Sequence, residues 1–177
     1  MKKIITVVLL VMMVFSLTAC GGESSGGQNI TFQGITMNIP KNWKAEKKTL
    51  SDKYAIYEKT NATGHDYKLM LMDNFSLLNT FGGDMEKAGA FFKEVTEDDA
   101  SYLNPSDPVS GRFADKYDMH TIDCTYHVVN LIKGGEAEYP CRLIRIYMGD
   151  HDVVMHFSAE KGDFEAFEAA IASAICD

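Results

Sequence analysis

Basic side chains are scarce in this chain of 177 residues. Lysine and arginine together number 17 against 25 acidic residues, which gives a formal net charge of −8 at pH 7. Arginine occurs only as Arg112, Arg142 and Arg145. Because phosphate recognition needs clustered lysine and arginine, this composition argues against a nucleic-acid partner.

The sequence also lacks the short motifs that indicate a catalytic site or a bound metal. It contains no Gly-x-Ser-x-Gly nucleophile turn, no phosphate-binding loop and no His-Glu-x-x-His pair. It has no Cys-x-x-Cys or Cys/His spacing of the kind that holds zinc. We therefore predict a protein that is not an enzyme and that has no cofactor. A hydrolase whose residues come together from distant elements is the less favoured alternative.

Long apolar runs are missing except near the amino terminus. Lys2 and Lys3 precede an apolar stretch over residues 4–16. A helix of that length rises about 20 Å, which is short of the ~30 Å hydrocarbon core of a bilayer. We therefore interpret residues 1–19 as a cleavable export signal and not as a membrane span.

The four residues that follow the apolar run, Leu17-Thr18-Ala19-Cys20, resemble the lipobox of bacterial lipoproteins. This resemblance implies cleavage before Cys20 and a covalent diacylglycerol on its sulfur. The protein would then be lipid-anchored at the extracytoplasmic face of the bacterial membrane. An ordinary secretory signal, with Cys20 incidental, is the alternative. Residues 20–28 are rich in glycine and serine and are predicted to be a flexible tether.

Residues 29–177 are predicted to form a single domain. Apolar alternation and β-rich composition predict strands at about 30–32, 35–39, 54–59, 67–75, 120–132, 136–148 and 153–159. Helical spacing of apolar residues predicts helices over 85–97, capped by Asp84, and over 163–175. The order strands, helix, strands, helix favours an α+β fold in which an antiparallel sheet packs against helices.

The segment from Ile35 to Trp43, an alternating strand that ends in Pro40-x-x-Trp43, resembles the start of PsbP-like domains. The final helix, with Phe164, Phe167 and Ile171, is similar to the carboxyl-terminal end of those domains. The resemblance covers residues 29–177 and implies the α-β-α sandwich shared with the Ran-binding Mog proteins. It also implies a binding or assembly module, and it assigns no catalytic residue.

One segment of the predicted domain suggests where a partner binds, whereas its single tryptophan does not. Trp43 is predicted to be a core residue rather than a ligand platform. Residues 98–111 are polar, contain two prolines and are predicted to lack regular structure, as functional loops often do. Within this loop Tyr102, Asn104 and Asp107 are candidate contacts for an unidentified envelope protein or a small ligand.

Metal or small-ligand capture is an alternative function. Asp150, His151 and Asp152 offer oxygen and nitrogen ligands in one short run, although a hairpin turn explains the same residues. Met70 and Met72 place two thioethers on one strand face, as a copper(I) site requires, although methionines also fill sheet cores.

The cysteines do not form an obvious disulfide framework. If Cys20 carries lipid, then Cys124, Cys141 and Cys176 remain. A turn centred on Gly134-Gly135 would offset Cys124 from Cys141 by about four residues, or roughly 13 Å along the strand. That offset exceeds the ~7 Å that a disulfide can bridge. We therefore expect buried, unpaired thiols, unless a bulge or a longer loop shifts the register or Cys176 reaches one of the other two.

Overall fold

A computed structural model describes residues 27–45, 52–60, 65–129 and 135–176. The predicted export signal, the lipidation residue Cys20 and most of the tether lie outside the described residues. Within the described part of the chain, no helix has both the length and the apolar character that crossing a membrane requires.

The described residues form strands and helices in the predicted alternation. The strands are β1 (Gln28–Phe32), β2 (Ile35–Ile39), β3 (Lys44–Ala45), β4 (Tyr54–Thr60), β5 (His65–Phe75), β6 (Tyr102–Leu103), β7 (Val109–Phe113), β8 (Tyr117–Val129), β9 (Glu136–Tyr147), β10 (His151–Ala159) and β11 (Ile175–Cys176). The helices are α1 (Leu77–Thr80), α2 (Met85–Asp98) and α3 (Glu165–Ala172).

These strands make two antiparallel sheets. The large sheet has the order β3-β4-β5-β10-β9-β8-β6, and β7 pairs with β8 on the same edge as β6. The small sheet has the order β1-β2-β11. All strand pairs in the described residues are antiparallel. The structure therefore confirms the α+β prediction and adds a second sheet to it.

The large sheet separates two hydrophobic clusters. Val153, Met155 and Phe157 of β10 point toward the small sheet and α3, where they join the larger cluster. Trp43 is 1% exposed and stacks on Phe157 and Tyr67, which confirms its prediction as a core residue. The opposite face of the large sheet packs against α1 and α2.

The carboxyl-terminal helix is shorter than predicted. It ends at Ala172, and Ile175–Cys176 pair with Ile35 and Thr36 of β2. The exposed edge of β2 offers these last residues backbone hydrogen bonds, which the sequence pattern does not reveal. The short helix α1 was also not predicted, and the side chain of Ser76 caps it by accepting a hydrogen bond from Asn79 N.

The register of β8 and β9 differs from the prediction. Their ladder ends with Val129 opposite Glu136, so the connection is longer than a turn at Gly134-Gly135 would make it. This register places Cys124 directly opposite Cys141. The predicted offset between these cysteines is therefore wrong. The register is the one that a longer connection between β8 and β9 produces, which was the stated alternative.

The polar segment 98–111 is more regular than predicted. It contains β6 and the start of β7, and both pair with β8. Between these strands, Ser106 N donates to Asp123 O at 2.8 Å, and Asp123 N donates to Ser106 Oγ at 3.1 Å. The backbone of this segment is therefore held along the edge of the large sheet.

Candidate functional site

Helix α2 lies across one face of the large sheet and leaves a groove on each side. Asp84 caps the helix, as predicted, by accepting a hydrogen bond from Lys87 N at 3.0 Å. Ala88, Phe92 and Thr96 are buried against the sheet. Because these buried residues cover only a narrow face of α2, a groove remains open on each side of the helix.

The first groove runs between α2 and the segment that leads into β7. Its volume is ≈ 520 Å³, which falls within the range of small-molecule sites. Its apolar lining comes from Met85, Gly89, Ala90 and Pro108. Its polar lining comes from Glu86, Lys93, Asp107, Ser110 and His120.

At the floor of this groove, three side chains form a hydrogen-bonded line. Ser110 lies directly opposite His120 in the β7–β8 ladder, and its Oγ is 3.0 Å from His120 Nε2. The other ring nitrogen, Nδ1, is 2.8 Å from the hydroxyl of Tyr147. Ser110 is exposed, whereas His120 is only 3% exposed. The line therefore leads from the open groove into the sheet.

Burial controls the protonation of this line. It lowers the pKa of His120, and the nearby charge of Asp118 opposes that effect only in part. Burial also raises the pKa of Tyr147 well above the usual value for a phenol. Near neutral pH the imidazole is therefore neutral and the phenol is protonated, so one ring nitrogen of His120 donates a hydrogen bond and the other accepts one.

The mouth of the first groove is acidic. Lys93 Nζ lies 2.6 Å from Asp107 Oδ1 and 3.7 Å from Glu97 Oε1. The hydrogen bond with Asp107 is the main reason why the pKa of Lys93 is raised and that of Asp107 is lowered. Glu86 adds a further carboxylate. Acidic groups thus outnumber the lysine, which favours a cationic or neutral ligand over an anionic one.

The second groove lies on the other flank of α2 and is smaller, at ≈ 190 Å³. Tyr102, Met72 and Arg145 contribute to its lining. Arg145 Nε is 2.7 Å from Asp152 Oδ2, and both side chains are almost completely buried. Asp152 Oδ2 also accepts a hydrogen bond from Leu77 N at 2.9 Å, so this ion pair fixes α1 onto the sheet.

Next to the second groove is a cluster of thiol, imidazole and phenol groups. His156 is fully buried, and its Nδ1 lies 3.0 Å from the hydroxyl of Tyr102. Its Nε2 lies 3.7 Å from Cys141 Sγ. The ring of Tyr126 packs edge-on against the imidazole, with 4.5 Å between ring centroids. Burial raises the pKa of Tyr102, so its hydroxyl stays protonated at neutral pH.

The three predicted contact residues of the 98–111 segment do not form one site. Tyr102 lines the second groove, whereas Asp107 lines the first groove on the other side of α2. Asn104 is exposed and has a positive φ of 54°, a backbone conformation that asparagine tolerates. Of the three, only Asp107 borders the larger groove.

The residues of the predicted metal alternative are also divided. Asp150 Oδ1 lies 2.7 Å from His151 Nδ1 at the β9–β10 turn, and Asp152 is committed to Arg145. Met70 and Met72 lie on β5, where Met70 pairs with His156 across the ladder. Within the described ranges, no group of three or more His, Cys, Asp or Glu side chains is arranged to hold a metal ion.

Sequence reasoning missed the Ser110–His120 pair. The sequence Val-Ser-Gly-Arg-Phe of β7 has no clear alternation, and its glycine argues against a strand. Without β7 there is no reason to place Ser110 beside His120. The one local signal is Gly89, because a β-carbon there would lie 2.8 Å from His120 Nε2. A glycine within a helix indicates such a close approach only when the neighbouring strand is known.

The fold is that of PsbP-like domains, as the resemblance implied. The solution structure of CyanoP, the cyanobacterial PsbP of Synechocystis, is similar with a TM-score of 0.54 and 14% identity, over 92% of this chain and 99% of that chain. A crystal structure from Bacteroides thetaiotaomicron is similar with a TM-score of 0.51 and 13% identity, over 85% of this chain and 48% of that one. This chain thus spans about half the length of the second neighbour.

At these identities the likeness shows the fold alone. No protein-family model matches the sequence, and no curated protein matches it either. The groove and the amino-terminal sequence are therefore the features that bear on function.

Proposed function

We propose that the protein is a lipid-anchored lipoprotein of the bacterial cell envelope and that its PsbP-like domain is a non-catalytic binding module. The anchor is supported by the lipobox-like sequence that ends at Cys20 and by the charged and apolar segments before it. Seven residues separate Cys20 from Gln28, the first residue of β1, which limits the distance from the membrane to about 28 Å. The binding surface would thus lie close to the outer face of the bilayer.

The observation that carries the binding function is the first groove. Its ≈ 520 Å³ would hold a small molecule or a short segment of a partner protein. Apolar atoms of α2 would supply contact area, while the exposed hydroxyl of Ser110, which His120 holds in place, would supply a hydrogen bond at the floor. The acidic mouth favours a ligand that carries positive charge or donates hydrogen bonds.

Site-specific photo-crosslinking tests this proposal. A photoreactive amino acid at Ala90, which is exposed and lines the groove, is compared with one at Glu94, which is exposed on α2 but lines neither groove. In cells that express the full chain, we expect a discrete adduct from position 90 and none from position 94. Equal adducts from both positions, or none from either, would contradict a binding site in the groove.

The Ser110–His120 pair supports a second candidate function, hydrolysis by a serine nucleophile. The neutral imidazole at 3.0 Å is placed to take the hydroxyl proton, and Tyr147 orients the ring. A fluorophosphonate probe decides between the candidates. If Ser110 is a nucleophile, its Oγ bonds to phosphorus, fluoride leaves and His120 takes the proton. Labelling that Ser110→Ala abolishes and Ser106→Ala preserves would favour the hydrolase, and absence of labelling would favour the binding module.

A further inference from the structure

The side chains of Cys124 and Cys141 lie together on the α2 face of the large sheet. The two residues are directly opposite each other in the β8–β9 ladder, and their thiols are hydrogen-bonded. Cys141 is 1% exposed, whereas Cys124 is partly exposed. Both are free thiols in this structure, so the pair represents a reduced state.

The backbone determines how far apart the two residues are. The N–H and C=O groups of Asp123 bond to Ser106 and therefore point away from β9. Successive residues of a strand alternate, so those of Cys124 point toward β9 and bond to Cys141. Such a hydrogen-bonded pair has α-carbons about 5.5 Å apart, inside the range that a disulfide spans.

We propose that Cys124 and Cys141 form a reversible disulfide in which Cys124 reacts first and Cys141 resolves the intermediate. The oxidant is a low-molecular-weight disulfide. The Cys124 thiolate attacks one of its sulfurs, the sulfur–sulfur bond breaks, and one thiolate leaves. Cys141 then loses its proton to His156, its sulfur attacks Cys124 Sγ, and the second thiolate leaves. Two protein thiols are oxidised, and one disulfide is reduced to two thiols.

The surroundings of the two sulfurs match these separate tasks. The hydrogen bond from Cys141 lowers the pKa of Cys124, while burial raises the pKa of Cys141. The accessible thiol is therefore also the better ionised one. His156 Nε2 is 3.7 Å from Cys141 Sγ, and when Nδ1–H donates to the Tyr102 oxygen, Nε2 is left as an acceptor. His156 is thus the general base of the second step, and it takes no part in the first.

The resulting disulfide is expected to be easily reduced. In a hydrogen-bonded pair the β-carbons are about 5.5 Å apart, which is wider than the ~4 Å of a relaxed disulfide. Strands β8 and β9 must therefore move closer together at these two residues when the disulfide forms. Reduction of the disulfide releases the resulting backbone strain. Formation of this disulfide requires neither the groove nor the anchor, because the β8–β9 ladder and the buried cluster alone position both cysteines.

Cysteine variants of the full chain, purified in detergent, test the proposal. After incubation with oxidised glutathione, wild type and the control Cys176→Ser should each lose the mass of two hydrogen atoms, and peptide mapping should join residues 124 and 141. Cys141→Ser should stop at a stable glutathione adduct on Cys124. Cys124→Ser should form neither a disulfide nor an adduct at position 141. A disulfide that contains Cys176, or an unresolved adduct in wild type, would overturn the proposal.

The role of His156 has its own readout. We expect His156→Gln to lengthen the lifetime of the mixed disulfide on the order of 10²-fold at neutral pH, with little effect on its rate of formation. If that variant does not fold, Tyr102→Phe serves instead, because it removes the hydroxyl that holds Nδ1 and so loosens the ring orientation that aims Nε2 at Cys141. An unchanged lifetime of the mixed disulfide in the folded variant would remove His156 from the mechanism.

Discussion

Gly89 of α2 lies so close to His120 of β8 that an added β-carbon would be 2.8 Å from Nε2 and 2.9 Å from Cε1. The imidazole cannot easily move, because hydrogen bonds to Ser110 and Tyr147 hold both of its nitrogens. Helix α2 can thus approach the sheet this closely beside His120 only because residue 89 has no side chain. The shape of the first groove depends on this contact.

The first prediction concerns Gly89→Ala. Alanine favours a helix by up to about 1 kcal/mol over glycine, but overpacking against a fixed ring costs about 1–3 kcal/mol. We therefore expect the substitution to lower the free energy of unfolding measured in urea. In a His120→Ala background the same substitution should be neutral or stabilising. An increase in the free energy of unfolding on Gly89→Ala in the otherwise wild-type protein would contradict the close contact between residue 89 and His120.

The second prediction concerns the pH dependence of stability. The folded-state pKa of His120 lies below its unfolded value because the ring is buried. The unfolded state therefore binds more protons between these two values, and stability must rise with pH in that window. We expect stability to fall as the pH drops through about 6.5, where an unperturbed histidine is half-protonated. His120→Gln should remove this part of the pH dependence in urea titrations between pH 5 and 7.5. An identical slope in both proteins would rule out the depressed pKa.

The third prediction tests the bond between Tyr102 and His156. Tyr102→Phe leaves Nδ1 of a fully buried imidazole without its phenol partner, which should cost about 1–3 kcal/mol of stability. Tyr126→Phe is the matched control, because the ring of Tyr126 provides the contact with His156 and phenylalanine retains it. Thermal or urea unfolding should show the larger loss for Tyr102→Phe. Equal losses would mean that the hydrogen bond contributes nothing specific.

The fourth prediction contrasts a buried ion pair with an exposed one. Asp152→Asn leaves Arg145 as a buried charge without its carboxylate and should destabilise the protein by about 3–5 kcal/mol. Asp118→Asn disrupts the exposed pair with Arg112 and should cost at most about 1 kcal/mol. Equilibrium unfolding of both variants checks that Asp152→Asn lowers the free energy of unfolding more than Asp118→Asn does. A loss of about 1 kcal/mol or less for Asp152→Asn would contradict this prediction.

Local signals in the sequence were sufficient for much of the fold. The alternation of Ile35, Met37 and Ile39 predicted β2. The carboxylate of Asp84 correctly predicted the start of α2. These features depend on neighbours within a few residues, so one sequence contains them.

Local signals could not predict which residues lie opposite each other when they are far apart in the sequence. The position of Cys124 opposite Cys141 depends on where the β8–β9 connection begins, and two adjacent glycines wrongly favoured a shorter turn. The Ser110–His120 pair depends on β7, whose central Gly111 hides its strand character. The divided positions of Tyr102 and Asp107 depend on α2 lying between them. Each of these is a relationship between elements rather than a property of one element.

The central claim, that lipid on Cys20 holds this domain at the outer face of a membrane, is tested most directly by mass analysis of the protein isolated from its native envelope. We predict an amino-terminal peptide that begins at Cys20 and carries a diacylglycerol thioether, and we predict release of a Cys20→Ala variant from the membrane fraction. A chain that begins elsewhere, or a Cys20 with a free thiol in membrane-bound protein, would contradict the account.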